Sequence, residues 1–427
     1  MSPISFARSF TALALVISTV ASAKGREPTI VFDKVLDRDE VIEGVPLEVG
    51  THVVLREQGD EGGSRRWITA TYPGRTLKFG PLEFSGNHPV TIEYGRPYIY
   101  GWGSNLGEAV THSNFVQPQS EAYQIFGTLT RATRMAGVLL ASMEESGLFD
   151  DFVPSVRVYC LDAERTNKCF TRASLPSWTP ETGVVAEDTI LDGVTALARD
   201  RIIFQADGHP AAIWAGQHHE PQSSTHRPNT RRVTLSLQRN GVPVEVSVWA
   251  ENVIFTRHHR PSVIMPTIMQ TFLGIPLARP GSLGHEAIIV RPDGSYTLSL
   301  DKDVTYVVDG YPVGQKHVGY GNDLEFDSQG YLRKAAVGGA FVYGGILLKP
   351  GVFLELELGR ITKARLGGAH AQYAFDGEFE GRQHFIIGAD LIFDLEGNLA
   401  RIEGAPTTDQ RLIDEYRSHD RIVFPVR

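Results

Sequence analysis

The chain has 427 residues, 42% of them apolar and 21% charged, with 43 glycines and a formal net charge of −9 at pH 7. A length of this order accommodates two or three domains. The mild acidity argues against a nucleic-acid partner, which needs a concentrated basic surface to neutralise phosphates.

Residues 1–23 read as a secretory signal peptide. Arg8 supplies the positive start, Thr11 to Val20 form an apolar run, and Ala21-Ser22-Ala23 offer the small residues that signal peptidase requires. The run is about half of the roughly twenty residues needed to cross a hydrocarbon core. Export is therefore expected, to a secreted or periplasmic location. Loss of Arg8 with the signal takes the charge of a mature chain from −9 to −9 − 1 = −10. No second long apolar stretch follows, so no transmembrane anchor is expected in the mature chain.

Residues 24–115 form an N-terminal β region, with strand-like runs at Thr51–Leu55, Trp67–Tyr72 and Pro89–Tyr94. Tyr98, Tyr100 and Trp102 alternate, so on a strand all three rings project from one face. Rings in a row stack on sugar faces or hold an apolar partner; covering the sheet's own core is the competing reading.

Residues 116–240 form a middle β region. Within it, 119–146 carry two readings. Ala122, Ile125, Phe126, Leu129, Ala132, Ala136, Leu139 and Leu140 fit one helical face, but Gly127-Thr128-Leu129-Thr130 resembles Gly359-Arg360-Ile361-Thr362, which favours strand. Cys160 and Cys169 flank a short polar loop between two alternating runs, and a bridge across that hairpin is expected. Gln217-His218-His219-Glu220 with His226, and His258-His259, are the histidine clusters.

Residues 241–427 read as a β-hairpin repeat domain. A Gly, an apolar residue, a Pro and another apolar residue recur at Gly44, Gly241, Gly274 and Gly310, with looser copies at Gly345 and Gly381. The last four glycines, at 274, 310, 345 and 381, are 36, 35 and 36 residues apart. A second glycine turn follows each of these late heads, at Gly294, Gly330, Gly359 and Gly397, with period-two apolarity on both sides. An earlier turn of this kind surrounds Gly208. The expected fold is all-β with minor helix: tandem hairpins forming an extended or solenoid-like sheet. Thr407 to Ser418 reads as a short capping helix with Leu412, Ile413 and Tyr416 on one side and an acidic first turn around Asp409.

In outline these units resemble the MORN-like hairpin repeats of bacterial exported proteins, in which an apolar strand, a Gly turn and a Leu-ending strand recur. The resemblance covers mainly residues 272–404, with echoes near 44, 193 and 241; the period is longer than the usual MORN unit and its Tyr-Gly-Trp signature is missing. It implies packing and partner binding rather than chemistry.

Candidate chemistry is sparse. Zinc needs three or four converging ligands, whereas adjacent histidines on a strand point to opposite faces, so His218, His219 and His226 are weak metal candidates. No G-x-S-x-G elbow occurs, and Ser104 and Ser282 lie beside turn glycines. Two carboxylates suffice for glycoside cleavage, but Asp301, Asp303, Glu325 and Asp327 also fit solvated turns. No cofactor is predicted. The function expected is binding or scaffolding in the cell envelope without catalysis, the partner being a protein or carbohydrate surface and Tyr98, Tyr100 and Trp102 the candidate contacts. The alternative is a secreted hydrolase or lyase acting on a polysaccharide or envelope polymer.

Overall fold

A computed structural model describes residues 28–60, 63–95, 122–141, 156–161, 168–171, 178–205, 207–215, 231–256, 258–266, 271–277, 288–300, 304–314, 324–367 and 372–426. The protein is all-β, with two short helical segments among the described residues, Lys168–Thr171 and Gln410–Ser418. It divides into two compact units: residues 1–99, 117–186 and 206–208, and residues 100–116, 187–205 and 209–427. No helix among the described residues is long and apolar enough to cross a membrane.

The first unit is built on an antiparallel ladder. Thr29–Val35, His52–Asp60, Gly63–Thr71, Val90–Gly95, Ala122–Gly127, Val156–Leu161 and Trp178–Val184 pair in that order. Three connections between ladder strands are small two-stranded hairpins: Glu40–Ile42 with Val45–Leu47, Thr76–Phe79 with Leu82–Ser85, and Thr133–Met135 with Val138–Leu140. These hairpins cover one face of the ladder. The ring of Phe84 sits where a Cβ on Gly127 would come within 2.7 Å, and Leu140 fills the same space over Gly183. Glycine at both positions lets hairpin and ladder approach closely. Under the hairpins lie rows of buried aliphatic side chains, among them Val53, Ala70, Val90 and Val156, then Leu55, Ile68, Ile92, Ile125 and Val158.

The second unit repeats the plan. Its ladder begins with Arg201–Phe204, Pro210–Trp214, Val242–Phe255 and Pro261–Pro266. It continues through Ile288–Val290, Tyr296–Leu298, Leu324–Phe326 and Leu332–Ala336. Phe353–Glu357, Arg360–Arg365, Asp390–Phe393 and Leu399–Glu403 complete it. Small hairpins turn at Gly193, Gly274, Gly310, Gly345 and Gly381. Tyr311 and Tyr343 tie two of them to the ladder, their hydroxyls donating to the Gly359 and Ile361 carbonyls at 3.1 and 3.2 Å.

Backbone geometry explains the period. Apart from Gly80-Pro81, where only the first residue has positive φ (60°), the small-hairpin turns place two successive residues at positive φ, as in Asp309 (51°) and Gly310 (86°), or Glu380 (49°) and Gly381 (73°). That is the type I′ turn, whose twist matches the strands it joins and whose second position favours glycine. Pro46, Pro276 and Pro312 stand in the second strand of a two-stranded hairpin, where a missing donor is tolerated. Four ladder turns use another solution, with Gly208, Gly294, Gly330 and Gly397 at positive φ, whereas the ladder turn Leu358-Gly359 (48° and 76°) is of the same type I′. In two of the four, Asp327 and Asp394 accept from backbone N–H groups of the same turn at 2.7–3.0 Å.

Several expectations are refined. Residues 122–140 are strands and not a helix, because Ala136 and Gly137 form a type I′ turn that no helix accommodates. Gly241 does not head a repeat: with Asn240 it turns the tip of a long arm in which Arg231–Arg239 pairs with the first half of Val242–Phe255. The Cys160–Cys169 bridge is present, but Cys169 lies on the helical turn Lys168–Thr171 and the strand opposite Cys160 begins at Trp178. The C-terminal helix starts one residue after Asp409, whose carboxylate caps it by accepting from Arg411 and Leu412 N–H. Tyr416 and Ile413 pack with Ala374 and Phe385 on the last small hairpin, whereas Leu412 is exposed.

Candidate functional site on the outer ladder face

Alternation along each strand sends every second side chain to the face away from the small hairpins. In the first unit, pairing aligns these residues in two cross-strand rows. One reads Arg56, Trp67, Glu93, Gln124, Tyr159, Thr179; the other reads Val54, Thr69, Thr91, Phe126, Arg157, Thr182. Thr, Gln, Arg and aromatic side chains dominate, in contrast to the aliphatic inner face. Trp67, Gln124 and Phe126 are partly exposed, while Tyr159 is buried. Trp67 and Phe126 are two strands apart and one row offset, about 12 Å at the usual strand spacing and rise.

The charged groups of this face are oriented by their neighbours. Arg65 places its guanidinium 5.8 Å from the centre of the Trp67 ring and forms a two-pronged ion pair with Glu93. Arg56 donates to Thr69 Oγ1 at 3.0 Å. Arg157 stacks 4.8 Å from the Phe126 centroid and donates to Glu181 at 3.2 Å. Burial pushes the Tyr159 hydroxyl above its ordinary pKa, so it stays a neutral group at pH 7. The result is a set of flat apolar surfaces bordered by fixed donors and acceptors.

The outer face of the second unit has a different character. From Leu324–Phe326 to the last strand, one row reads Glu325, Lys334, Glu355, Lys363, Ile392, Arg401. Glu325 bonds Lys334 at 3.0 Å, Lys363 bonds Asp390 at 2.7 Å, and Glu355 pairs with Arg365. Opposite charges across neighbouring strands neutralise one another, leaving a solvated zipper. A shallow groove of about 320 Å³ elsewhere in this unit is lined by Ser236, Gln238, Pro243, Glu245, Gly294 and Ser328.

Tyr98, Tyr100 and Trp102 lie outside the described residues, as do His218, His219, His226, Asp301, Asp303, Ser104 and Ser282. Glu325 and Asp327 do not form a facing pair: Glu325 is engaged by Lys334, and Asp327 is consumed by its own turn. His259 occupies a turn position at φ 61°, and its ring stacks on His209 with centroids 3.6 Å apart. His209 Nδ1 lies 3.2 Å from both carboxylate oxygens of Asp192. Among the described residues no group of three or more His, Cys, Asp or Glu could hold a metal.

Trp67 lies in a run read as a strand and Phe126 in a stretch readable as helix or strand, and neither is singled out by the sequence as a site residue. What was missing was the register that sets them side by side. No protein-family model matches the chain, and a search of curated proteins finds no match.

Proposed function

We propose that this is an exported, non-enzymatic repeat protein that binds a carbohydrate polymer of the cell envelope across the outer ladder face of its N-terminal unit. The observation that carries the reading is the row Arg56–Trp67–Glu93–Gln124 beside Thr69–Thr91–Phe126–Arg157. Aromatic faces stack on the apolar faces of sugar rings, and amide, hydroxyl and guanidinium groups at their borders satisfy sugar hydroxyls. A paired ladder holds these groups with little entropy left to lose on binding. The sequence of residues 1–23 and the Cys160–Cys169 bridge are compatible with an oxidising compartment outside the cytoplasm.

The test is co-sedimentation of the mature chain with insoluble envelope polysaccharide, including purified peptidoglycan. Trp67→Ala and Phe126→Ala are each expected to lower retention about five- to thirtyfold, the loss of about one to two kcal/mol of stacking. Trp249→Ala, on the exposed arm, should leave retention unchanged. Equal retention of all three variants would remove this face from the account. Release of soluble sugar fragments during incubation would replace binding with hydrolase or lyase activity.

A further inference from the structure

On the outer ladder face of the first unit, Arg65 and Arg157 each have a carboxylate. Arg65 is gripped by Glu93 through two contacts, and Arg157 donates to Glu181 at 3.2 Å. Arg56 differs. Its Nη1 donates to the Thr69 hydroxyl at 3.0 Å, and no carboxylate among the described residues pairs with it. The acids around it are engaged elsewhere. Asp33, opposite Val54 on the neighbouring strand, is joined to His52 Nε2 at 2.6 Å. Glu57, the next residue along, alternates to the inner face and accepts from Arg66 at 3.2 Å.

The register puts this cation beside the stacking ring. Arg56 stands directly opposite Trp67, and Glu93 stands on the other side of Trp67 in the same row. Cβ atoms of opposite residues lie about 4.5–5.5 Å apart, so a sugar ring stacked on Trp67 brings its substituents within reach of both neighbours. Glu93 is already neutralised by Arg65. Arg56 keeps its full charge, and with Nη1 turned to Thr69 it still has Nε–H and Nη2–H donors to offer. It is half-buried in the ladder and tethered through Thr69, so little of its freedom remains to be lost. The row thus presents an unbalanced cation, a flat ring and a balanced ion pair.

We infer that the glycan bound here is acidic: the ring stacked on Trp67 carries a carboxylate, and Arg56 takes it through two parallel N–H···O bonds. A planar carboxylate matches the guanidinium fork, and a charge-assisted pair of this kind is about twice as strong as a neutral hydrogen bond. A neutral sugar would draw from Arg56 no more than a hydroxyl contact. A uronic acid ring and a ring bearing an ether-linked carboxylic acid supply the same group. This assignment rests on the glycan-binding reading of the same face and adds the charge of the glycan to it.

Removing the charge from the glycan and from the protein in turn tests it. The full mature chain is titrated with polygalacturonate and with peptide-free peptidoglycan strands, each before and after its carboxylates are reduced to alcohols. The natural chain should bind an acidic form about ten- to a hundredfold more tightly than its reduced counterpart. Whichever polymer shows that preference identifies the source of the carboxylate. Arg56→Gln should bind acidic and reduced forms alike, at the natural chain's affinity for the reduced form. Arg56→Lys, a point charge without the fork, should keep part of the preference. Trp67→Ala should weaken both forms by the same factor. A natural chain with no preference for either acidic polymer overturns the inference, even where Trp67→Ala still weakens binding. So does a preference that survives in Arg56→Gln. Binding of every form that Trp67→Ala leaves untouched removes the face itself, and the acidic glycan with it.

Discussion

Gly330 and Gly294 occupy equivalent positions in neighbouring ladder turns, with φ of +77° and +87°, yet their surroundings differ. A Cβ on Gly294 would meet nothing closer than 3.9 Å, whereas one on Gly330 would lie 2.0 Å from the Gln238 carbonyl oxygen and 2.6 Å from Arg239 Cα. The arm tip is docked onto that turn. Gly241 N–H donates to the Gln329 carbonyl at 2.8 Å, Asn240 N–H to Gly330 at 3.4 Å, and the Arg239 guanidinium to Gly330 at 2.9 Å. Gly294→Ala should therefore cost only the left-handed conformation, about 1–2 kcal/mol. Gly330→Ala carries the same cost and also lifts the tip. With each of the three hydrogen bonds worth about 0.5–1.5 kcal/mol, its total reaches about 2.5–6.5 kcal/mol. Urea unfolding monitored by tryptophan fluorescence measures both variants, and hydrogen exchange at 238–242 should quicken in the Gly330 variant alone. Losses that agree within about half a kcal/mol would refute the docking argument, because backbone strain alone would then account for both.

Other perturbations separate packing from charge. Asp200 and Arg231 are fully buried and joined by two contacts, at 2.5 and 3.2 Å, so Asp200→Asn should cost about 3–5 kcal/mol by stranding a buried guanidinium. Adding Arg231→Met should recover much of that loss in the same urea assay. Cys160→Ser with Cys169→Ser opens a bridge spanning nine positions and should lower stability by about 2–3 kcal/mol in non-reducing buffer. Burial raises the Tyr296 pKa far above its ordinary value, so the folded state holds this proton longer than the unfolded chain does. Its contribution is complete below about pH 10 and is lost as pH rises beyond that, at about 1.4 kcal/mol per pH unit. Tyr296→Phe should flatten the alkaline decline of stability by that slope, and an unchanged slope would contradict the assignment.

Much of the architecture was legible because one stereochemical demand recurs. A type I′ turn wants glycine at its second position, and the late heads at 274, 310, 345 and 381 keep nearly even spacing. In the first half the small hairpins turn at 44, 80, 137 and 193, with Gly80 in the first turn position before Pro81, so the intervals open from 36 to 57 and 56 residues and the period is lost to inspection. Gly241 misled for the converse reason: local sequence dictates the turn at Asn240-Gly241 but not whether the strands beyond it form a short hairpin or a long arm. The candidate site was hidden at a further level. Trp67, Gln124 and Phe126 are aligned by pairings between strands distant in sequence, and His209 meets His259 only because two ladder turns lie side by side.

The central claim, that the outer ladder face of the N-terminal unit receives a glycan chain, is tested most directly by hydrogen–deuterium exchange with and without a saturating soluble fragment of the retained polysaccharide. Slowed exchange confined to peptides spanning 65–71, 90–95 and 122–127 is the predicted result. Protection that falls instead on the arm at 231–255 or the charged strands at 353–403, or on no peptide while the polymer is bound, would contradict it.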